Sequence, residues 1–467
     1  MVIKLKASEI AEVLDSCIDP SSQGVIPSGY SIDSRTLEVG DCFIAIRGKR
    51  LDGHEFIPEA IRKGASFLIV NRNVSNVILR DTPRLFVKDT LLALQQLARR
   101  VRRRWGGEVV GITGSAGKTT TKEIASHVLA GKFKVFKSVG NYNNDYGLPL
   151  SLLKLESDHK IAVLELGMSA PGEIARLSRI AQPNIGIVTN VKPVHLEFFS
   201  SIRRIARSKR ELIDHLPNDG VAFLNNDDVY VRKFGRYFNG KIVTFGIERP
   251  AAYRVEQIRS KGLVGSDFRL RYHRRSHWLT LPLLGSHNVT NCLPGIALAH
   301  RLGLSFDAIA IRLQDLKPES GRGRPMYFEG GFCVIDDSYN SNPAALMMMM
   351  RLVGQIQGYQ RKILVAGEML EIGDNGAHFH EACAKAAAHW RFDIIIGIQG
   401  LANQMVVSTK SLGYDSNRSI FFRDAWEAGQ WLSPRVRSGD LILVKGSRGV
   451  KTERVIQTLT KDFAVSA

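Results

Sequence analysis

Short apolar runs bounded by turn residues recur along most of this chain, with helical stretches between them. "EVVGIT", "KIAVLEL", "NIGIVTNV", "GVAFLNN" and "KIVTFG" fall between residues 105 and 316; "FCVIDDSY", "KILVAGEM", "FDIIIGIQG" and "LILVKGS" follow from residue 317. A strand buried on both faces needs this short, uniformly apolar texture, so the pattern points to parallel sheets covered by helices. A chain of 467 residues is too long for one ordinary core, and its length predicts about three domains. Textures divide it at 1–104, 105–316 and 317–467. The first segment, with "ASFLIVNRN", "RLFVKDT" and a closing helix, reads as a small mixed α/β domain. The second reads as a parallel-sheet P-loop domain and the third as a doubly wound, Rossmann-like unit. The methionine run from Met347 to Met350 reads as flexible core filler on a helix.

Net charge is +19, which raises nucleic acid, anionic lipid and polyanionic small substrates as partners. The densest cluster, "LARRVRRRWGG" at residues 97–107, resembles a helix leading into a linker. Neither it nor "SIRRIARSKR" nor "RYHRRSHW" carries the aromatic interleaving of single-strand binders. Solvated basic faces on a protein that handles acidic small molecules are the better reading, with no nucleic-acid partner expected. No apolar run approaches the ~20 residues of a membrane helix, and the amphipathic start lacks a signal peptide's apolar stretch. No membrane insertion and a cytoplasmic location are therefore expected. Cys17, Cys42, Cys292, Cys333 and Cys383 are scattered without a CxxC pair, which reads as reduced thiols.

"GITGSAGKTTTKE", residues 111–123, reads as a phosphate cradle. The strict Walker pattern wants glycine six positions before the lysine, where Ile112 stands. Its context compensates: a strand ends near Ile112, and helix-compatible residues run from Lys118 to Leu129, aiming backbone N–H groups at an anion. Lys118 would reach β and γ phosphates, and the Thr119 hydroxyl would bind Mg²⁺. Glu165 and His195 follow apolar runs of the same segment, where metal ligands of a nucleotide site should lie. Lys209, on the helix "SIRRIARSKRELIDHLP", reads by composition as solvated surface.

Taken together, TGSAGKTT, "GNYNNDYGLPLSLL", "LELGMS", "VHLEFFSS", "ARSKRELI", "LNNDD", "GSHNVTNCLPGIALA", "DDSYNSNPAA", "GEMLEIGDNGAHFH" and "VKGSRGVKTE" resemble the Mur ligases in content and order. These are ATP-dependent amide-forming enzymes of peptidoglycan synthesis, and their phosphate loop has the same variant form. The resemblance implies a UDP-muramoyl-peptide-binding domain at 1–104, a central ATP-binding domain at 105–316 and a C-terminal ligase domain at 317–467. It implies that Thr113, Gly114, Ser115, Ala116, Gly117, Lys118, Thr119 and Thr120 hold ATP, with Asn288 on adenine and Arg322 and Asp337 approaching the nucleotide. Thr119 and Glu165 would hold one Mg²⁺ and His195 a second, and Lys209 matches a lysine that family members carry as a carbamate. Lys118, His195 and Lys209 would thus be catalytic. For substrates it implies Ser34 and Arg35 on the uridine nucleotide, with Asn141, Asn144, Tyr339, Asn340, Asn342, Lys445, Ser447 and Arg448 lining the cleft. Departures are Glu368 for aspartate, "NNDYG" for "NNEIG", and Gly449 for serine.

The chemistry implied is activation of a peptide carboxylate by the ATP γ-phosphate, then attack by an amine. "DDSYNSNP" favours UDP-N-acetylmuramoyl-tripeptide and D-alanyl-D-alanine as substrates, since relatives read closer to "DYAHNP". Another Mur-type ligase or a folylpolyglutamate synthase-like ligase is the alternative; a monomer is expected. A nucleic-acid-stimulated ATPase, motivated by charge, and a non-catalytic module with the same fold stand behind these.

Overall fold

The computed structural model describes every residue except Met1, Lys49, 73–81, Asn141, 194–198, Ser200, Glu371 and Ala467. The chain forms two compact units. The first is Met1–Val191 with Arg203–Phe245 and Pro294–Leu304; the second is Lys192–Ile202 with Gly246–Leu293 and Ser305–Ala467.

In the first unit, β1 (Tyr30–Ser31), β2 (Cys42–Ile44), β3 (Phe67–Val70) and β4 (Arg84–Phe86) form a parallel sheet in chain order. Its core packs Phe43, Ile57, Leu68 and Val70 together. The larger sheet contains β5 (Glu108–Thr113), β6 (Val135–Lys137), β7 (Ile161–Glu165), β8 (Ile185–Val188), β9 (Val221–Asn225) and β10 (Lys241–Gly246). All six are parallel, in the order β10-β9-β8-β5-β7-β6. Every residue of β7, β8 and β9 is buried, which is why their sequences show continuous apolar runs rather than alternation. The chain passes from β7 on one side of β5 to β8 on the other. That reversal of strand order opens a crevice beyond the carboxyl end of β5, where an open α/β sheet binds its ligand.

Helix Thr90–Trp105 is started by the Asp89 carboxylate, which accepts from the amides of Leu91 and Leu92, and ended by Gly106 at φ 71°. It buries Ala93, Leu94, Leu97, Ala98 and Val101, while Arg99, Arg100, Arg103 and Arg104 stay exposed. The solvated-face reading fails for Arg102, which is buried. Its Nε donates to the Ala181 carbonyl at 2.8 Å, and Nη2 donates to the Gln182 carbonyl at 3.0 Å and to Asn184 Oδ1 at 3.1 Å. These acceptors end one helix and lead into β8, so Arg102 fastens two elements together.

In the second unit, β11 (Tyr253–Ser260), β12 (Ser266–Tyr272) and β13 (Arg275–Leu281) form an antiparallel ribbon that the sequence reading did not separate out. The remaining strands are β14 (Arg324–Tyr327), β15 (Cys333–Asp337), β16 (Arg361–Gly367), β17 (Ile394–Ile398), β18 (Ser419–Phe422) and β19 (Asp440–Lys445), ordered β14-β15-β19-β16-β17-β18. Only β14 runs antiparallel to its neighbour. Separate cores cover the two faces: Leu346, Met349, Met350, Val353 and Cys383 pack on one, and Ala425, Leu432, Val455 and Leu459 on the other. The unit is doubly wound, as its run pattern implied, and Met349 and Met350 are core residues. All five cysteines are free thiols.

Arg102→Met would keep the apolar stem and remove every donor, leaving buried carbonyls unmet. Loss of about 2–4 kcal/mol is expected, against about 0.5 kcal/mol or less for the exposed Arg103→Met; urea denaturation of both variants measures it.

Candidate active site

Beyond β5 the chain turns sharply. Thr113 Oγ1 donates to the Leu166 carbonyl at 3.0 Å and ties β5 to the end of β7. Gly114 then passes so close to β8 that an added Cβ would lie 1.8 Å from Thr189 Oγ1. Gly117, at φ 80°, is the N-cap of helix Lys118–Leu129, a backbone conformation that favours glycine. The segment after β8 holds this loop. Ser115 N donates to the Asn190 carbonyl at 2.9 Å, and the Asn190 amide exchanges two hydrogen bonds with the Ala116 peptide at 3.0 Å each. Thr189 Oγ1 also donates to the Ala116 carbonyl at 2.7 Å. Lys118, the first helical residue, folds its Nζ back to donate to the Gly114 carbonyl at 3.0 Å. A positive group is thus stationed over a helix N-terminus, an anion-binding arrangement.

Glu165 ends β7 beside this loop, its backbone in register with Ile112. It is only 3 % exposed. Thr119 Oγ1 donates to Oε2 at 2.7 Å and Asn143 Nδ2 to Oε1 at 2.8 Å. Both donors are neutral, and no described residue forms an ion pair with this carboxylate. A buried carboxylate held only by neutral donors fits a cation, since desolvated charge is costly without one. Asn143 comes from a segment fixed by Lys122, a fully buried lysine whose Nζ donates to the Ser138 carbonyl at 2.7 Å.

Lys209 lies on helix Ile202–Asp214 and is 2 % exposed, contrary to the solvated-surface reading. The helix is strongly amphipathic, and Lys209 shares its inward face with Ile205, Ala206, Leu212 and Ile213. Burial pulls its amine well below the ordinary lysine range, and the charge of Lys118 pulls in the same direction. A neutral amine is the form that can take up CO₂. His195 and Asn141 lie outside the described residues. Asn144 Oδ1 accepts from the amides of Tyr146 and Gly147, which starts helix Gly147–Leu152. Near the N-terminus, Ser34 Oγ donates to Glu59 at 2.6 Å and Arg35 grips Asp33 through Nε and Nη2.

The second unit gathers another group of the expected residues at the carboxyl ends of β15 and β19. Asp337 and Lys445 are paired in register, and Lys445 Nζ donates to Asp337 Oδ2 at 2.6 Å and to the Asn340 carbonyl at 2.9 Å. Burial pushes the Asp337 carboxyl up, partly opposed by Lys445. The Tyr339 ring has Arg322 3.9 Å and Arg448 5.7 Å from its centroid. Asn342 caps helix Pro343–Gln355 through the Ala345 amide, and Ser447 Oγ accepts from Leu370 N. Asn288 Nδ2 donates to the Leu284 carbonyl, while Asn288 Oδ1 accepts from Asn291. Its neighbour His287 is held down to about 4 by burial, with the Lys445 charge second.

Family models match along the chain in this order: "Mur ligase family, catalytic domain" over residues 28–102, "Mur ligase middle domain" over 112–299, and "Mur ligase, glutamate ligase domain" over 321–448. UDP-N-acetylmuramoyl-tripeptide–D-alanyl-D-alanine ligase of Bacillus subtilis is 32 % identical over 98 % of this chain and 99 % of its own. The chain belongs to the Mur ligase family. Among solved structures, MurF from Acinetobacter baumannii superimposes on this Mur ligase with a TM-score of 0.89, at 28 % identity and with 98 % and 99 % of the two chains covered. MurF ligase from Thermotoga maritima in complex with ADP gives a TM-score of 0.80 at 32 % identity, covering 93 % and 97 %. The three-domain α/β architecture expected of a Mur ligase is therefore present.

Sequence reading missed Asn143, Thr189, Asn190, Lys122 and His287. Asn143 stands beside the chosen Asn144, and only the fold shows which of the two reaches Glu165.

Gly114→Ala would force the Cβ against Thr189 and open the loop. A drop of about 1–3 kcal/mol in stability is expected, measured by thermal unfolding, and Gly114→Ala combined with Thr189→Ser should not recover it because Oγ remains.

Proposed function

We propose that this Mur ligase joins D-alanyl-D-alanine to the terminal carboxylate of UDP-N-acetylmuramoyl-tripeptide, with ATP converted to ADP and phosphate. The observation that carries this reading is the phosphate loop with buried Glu165 beside it, in a chain that matches ligases of that name along its whole length. Residues 1–104 would take the UDP-muramoyl peptide, 105–316 the nucleotide and 317–467 the incoming dipeptide.

The tripeptide carboxylate attacks the γ-phosphorus, ADP leaves, and an acyl phosphate results. The dipeptide amine then attacks the acyl carbon, and phosphate departs with the electron pair of the C–O bond. The first step brings negative charges together, so the site must supply positive charge in place. Lys118, now on the Gly114 carbonyl, would turn to the β and γ phosphates, and the loop amides from Thr113 to Thr120 would cradle them. Thr119 and Glu165 suit one magnesium ion, with His195 and carbamylated Lys209 for a second; these ions would neutralise phosphate charge and orient the transferred group. Carbamylation would replace the neutral Lys209 amine with an anionic oxygen donor, whose buried charge the second magnesium ion would meet.

In the second unit, Tyr339 between Arg322 and Arg448, with the Asp337–Lys445 pair below, would receive nucleotide and dipeptide groups together with Asn340, Asn342 and Ser447. Ser34 and Arg35 would meet the uridine nucleotide, Asn288 adenine, and Asn141 and Asn144 the peptide. The reading makes no use of nucleic acid.

Lys118→Ala is expected to abolish ADP release driven by UDP-N-acetylmuramoyl-tripeptide plus D-alanyl-D-alanine, a loss of at least about 10³-fold; retained activity would overturn the reading. Omitting the dipeptide from the wild-type assay should remove sustained turnover.

Carbamylation has its own test. With ¹³C-bicarbonate, wild-type protein should show a protein-bound carbamate carbon that Lys209→Arg lacks. Because burial lowers the Lys209 pKa, the amine should remain competent for CO₂ at a pH where ordinary lysines are protonated. The signal should be lost as pH falls through that lowered value and persist above it.

A further inference from the structure

A cavity lies at the amino ends of the strands of the first unit's larger sheet, where β8 and β9 begin. It has a volume of about 470 Å³, within the ~300–1,000 Å³ typical of small-molecule sites. Arg99, Arg102, Arg179 and His215 line it, and no carboxylate side chain does. Arg99 and Arg179 are exposed, and their guanidinium groups make no ion pair or hydrogen bond with a described residue. Arg102 covers the acceptors of the wall, namely the Ala181 and Gln182 carbonyls and Asn184 Oδ1. The side chains of fixed charge that line it are therefore all guanidinium groups, which only donate.

The observation that points to a ligand is Ser178. It lines the cavity, is 2 % exposed, and its Oγ has no hydrogen-bond partner among the described residues. A helical serine ordinarily bonds a carbonyl one turn back or faces water, and buried hydroxyls are nearly always satisfied. His215 gives its Nδ1 to the Glu211 carbonyl at 2.8 Å, which leaves Nε2 without a partner among the described residues. Pro183 and Leu216 add an apolar wall beside these groups.

We propose that this cavity binds a small phosphorylated anion at a site distinct from the phosphate loop. Two unpaired guanidinium groups suit phosphate oxygens in a planar fork, and the Ser178 hydroxyl supplies a buried donor with no competing use. The site stands on its own geometry and does not depend on the ligase reading. A merely solvated basic face would carry no buried hydroxyl left without a partner at its floor.

Inorganic pyrophosphate is the probe, titrated calorimetrically into full-length Lys118→Ala protein so that the phosphate loop is disabled. One pyrophosphate per chain should bind. Adding Arg99→Ser with Arg179→Ser should weaken it at least about tenfold, whereas Arg100→Ser with Arg103→Ser, exposed on the same helix but outside the cavity, should not. Ser178→Ala should weaken binding without lowering Tm, since no protein hydrogen bond is lost. Failure of the Lys118→Ala protein to bind pyrophosphate would overturn the proposal. So would equal losses from the two arginine pairs, or unchanged affinity in the Arg99/Arg179 variant.

Discussion

Buried charge without a protein counter-charge is the constraint around which the first unit is organised. Glu165 and Lys209 are both almost completely withdrawn from water, and neither has an ion-pair partner among the described residues. Each is unfavourable for folding taken alone. The fold accommodates Glu165 with neutral donors, Thr119 and Asn143, that fix both oxygens without cancelling the charge. A lysine or arginine in place of Asn143 would stabilise the carboxylate and use up the capacity that a metal ion requires. Lys122 contributes at one remove: its ammonium pairs with Glu123 and donates to the Ser138 and Gly140 carbonyls, which fixes the segment leading to Asn143. Lys209 is handled differently, since its amine is pulled toward neutrality rather than paired.

Around these groups the phosphate loop is held by shape. Its conformation depends on Gly114 passing next to Thr189 and on the reciprocal amide pairing between Asn190 and Ala116. Those contacts come from the strand on one side of β5, while Glu165 comes from the strand on the other. The reversal of strand order at β5 is what lets one loop be gripped from both sides. In the second unit the same rule operates with different chemistry: Asp337, Lys445 and the Arg322–Tyr339 stack all follow the carboxyl ends of parallel strands. Parallel sheets put successive loop segments at one edge, so residues distant in sequence become neighbours there.

Much of this was legible in the sequence, and the reason is burial on both faces. Strands β7, β8, β9, β17 and β19 announce themselves as continuous apolar runs because every residue in them is buried, and β5, β15 and β16 do so over all but their end residues. The ribbon β11 to β13 did not, because its residues alternate between buried and half-exposed and carry many arginines. Phosphate-loop residues were legible because glycine, lysine and threonine are constrained there by backbone approach and by charge. Lys209 was not, since a lysine on a helix is solvated far more often than buried; its depth follows from the helix's inward face, which composition alone does not rank. Asn143 against Asn144 was a choice between adjacent identical residues. One reaches Glu165 and the other starts a helix, and the turn that separates them is tertiary.

Net charge is the clearest case of a bulk number that geometry has to divide. The surplus of basic residues suggests a single polyanion-binding surface, yet these side chains serve unrelated ends. Arg102 ties a helix to the start of β8, Lys122 positions a loop, and Arg322 and Arg448 flank one aromatic ring. Exposed charges are screened within about 8–10 Å at physiological salt, so their sum says little about any one place. Buried or convergent ones act at short range in a low dielectric and decide the chemistry. What distinguishes Lys118 and Lys209 from the other basic groups is therefore their surroundings: a helix N-terminus for one, and for the other an apolar helix face close enough to feel the first.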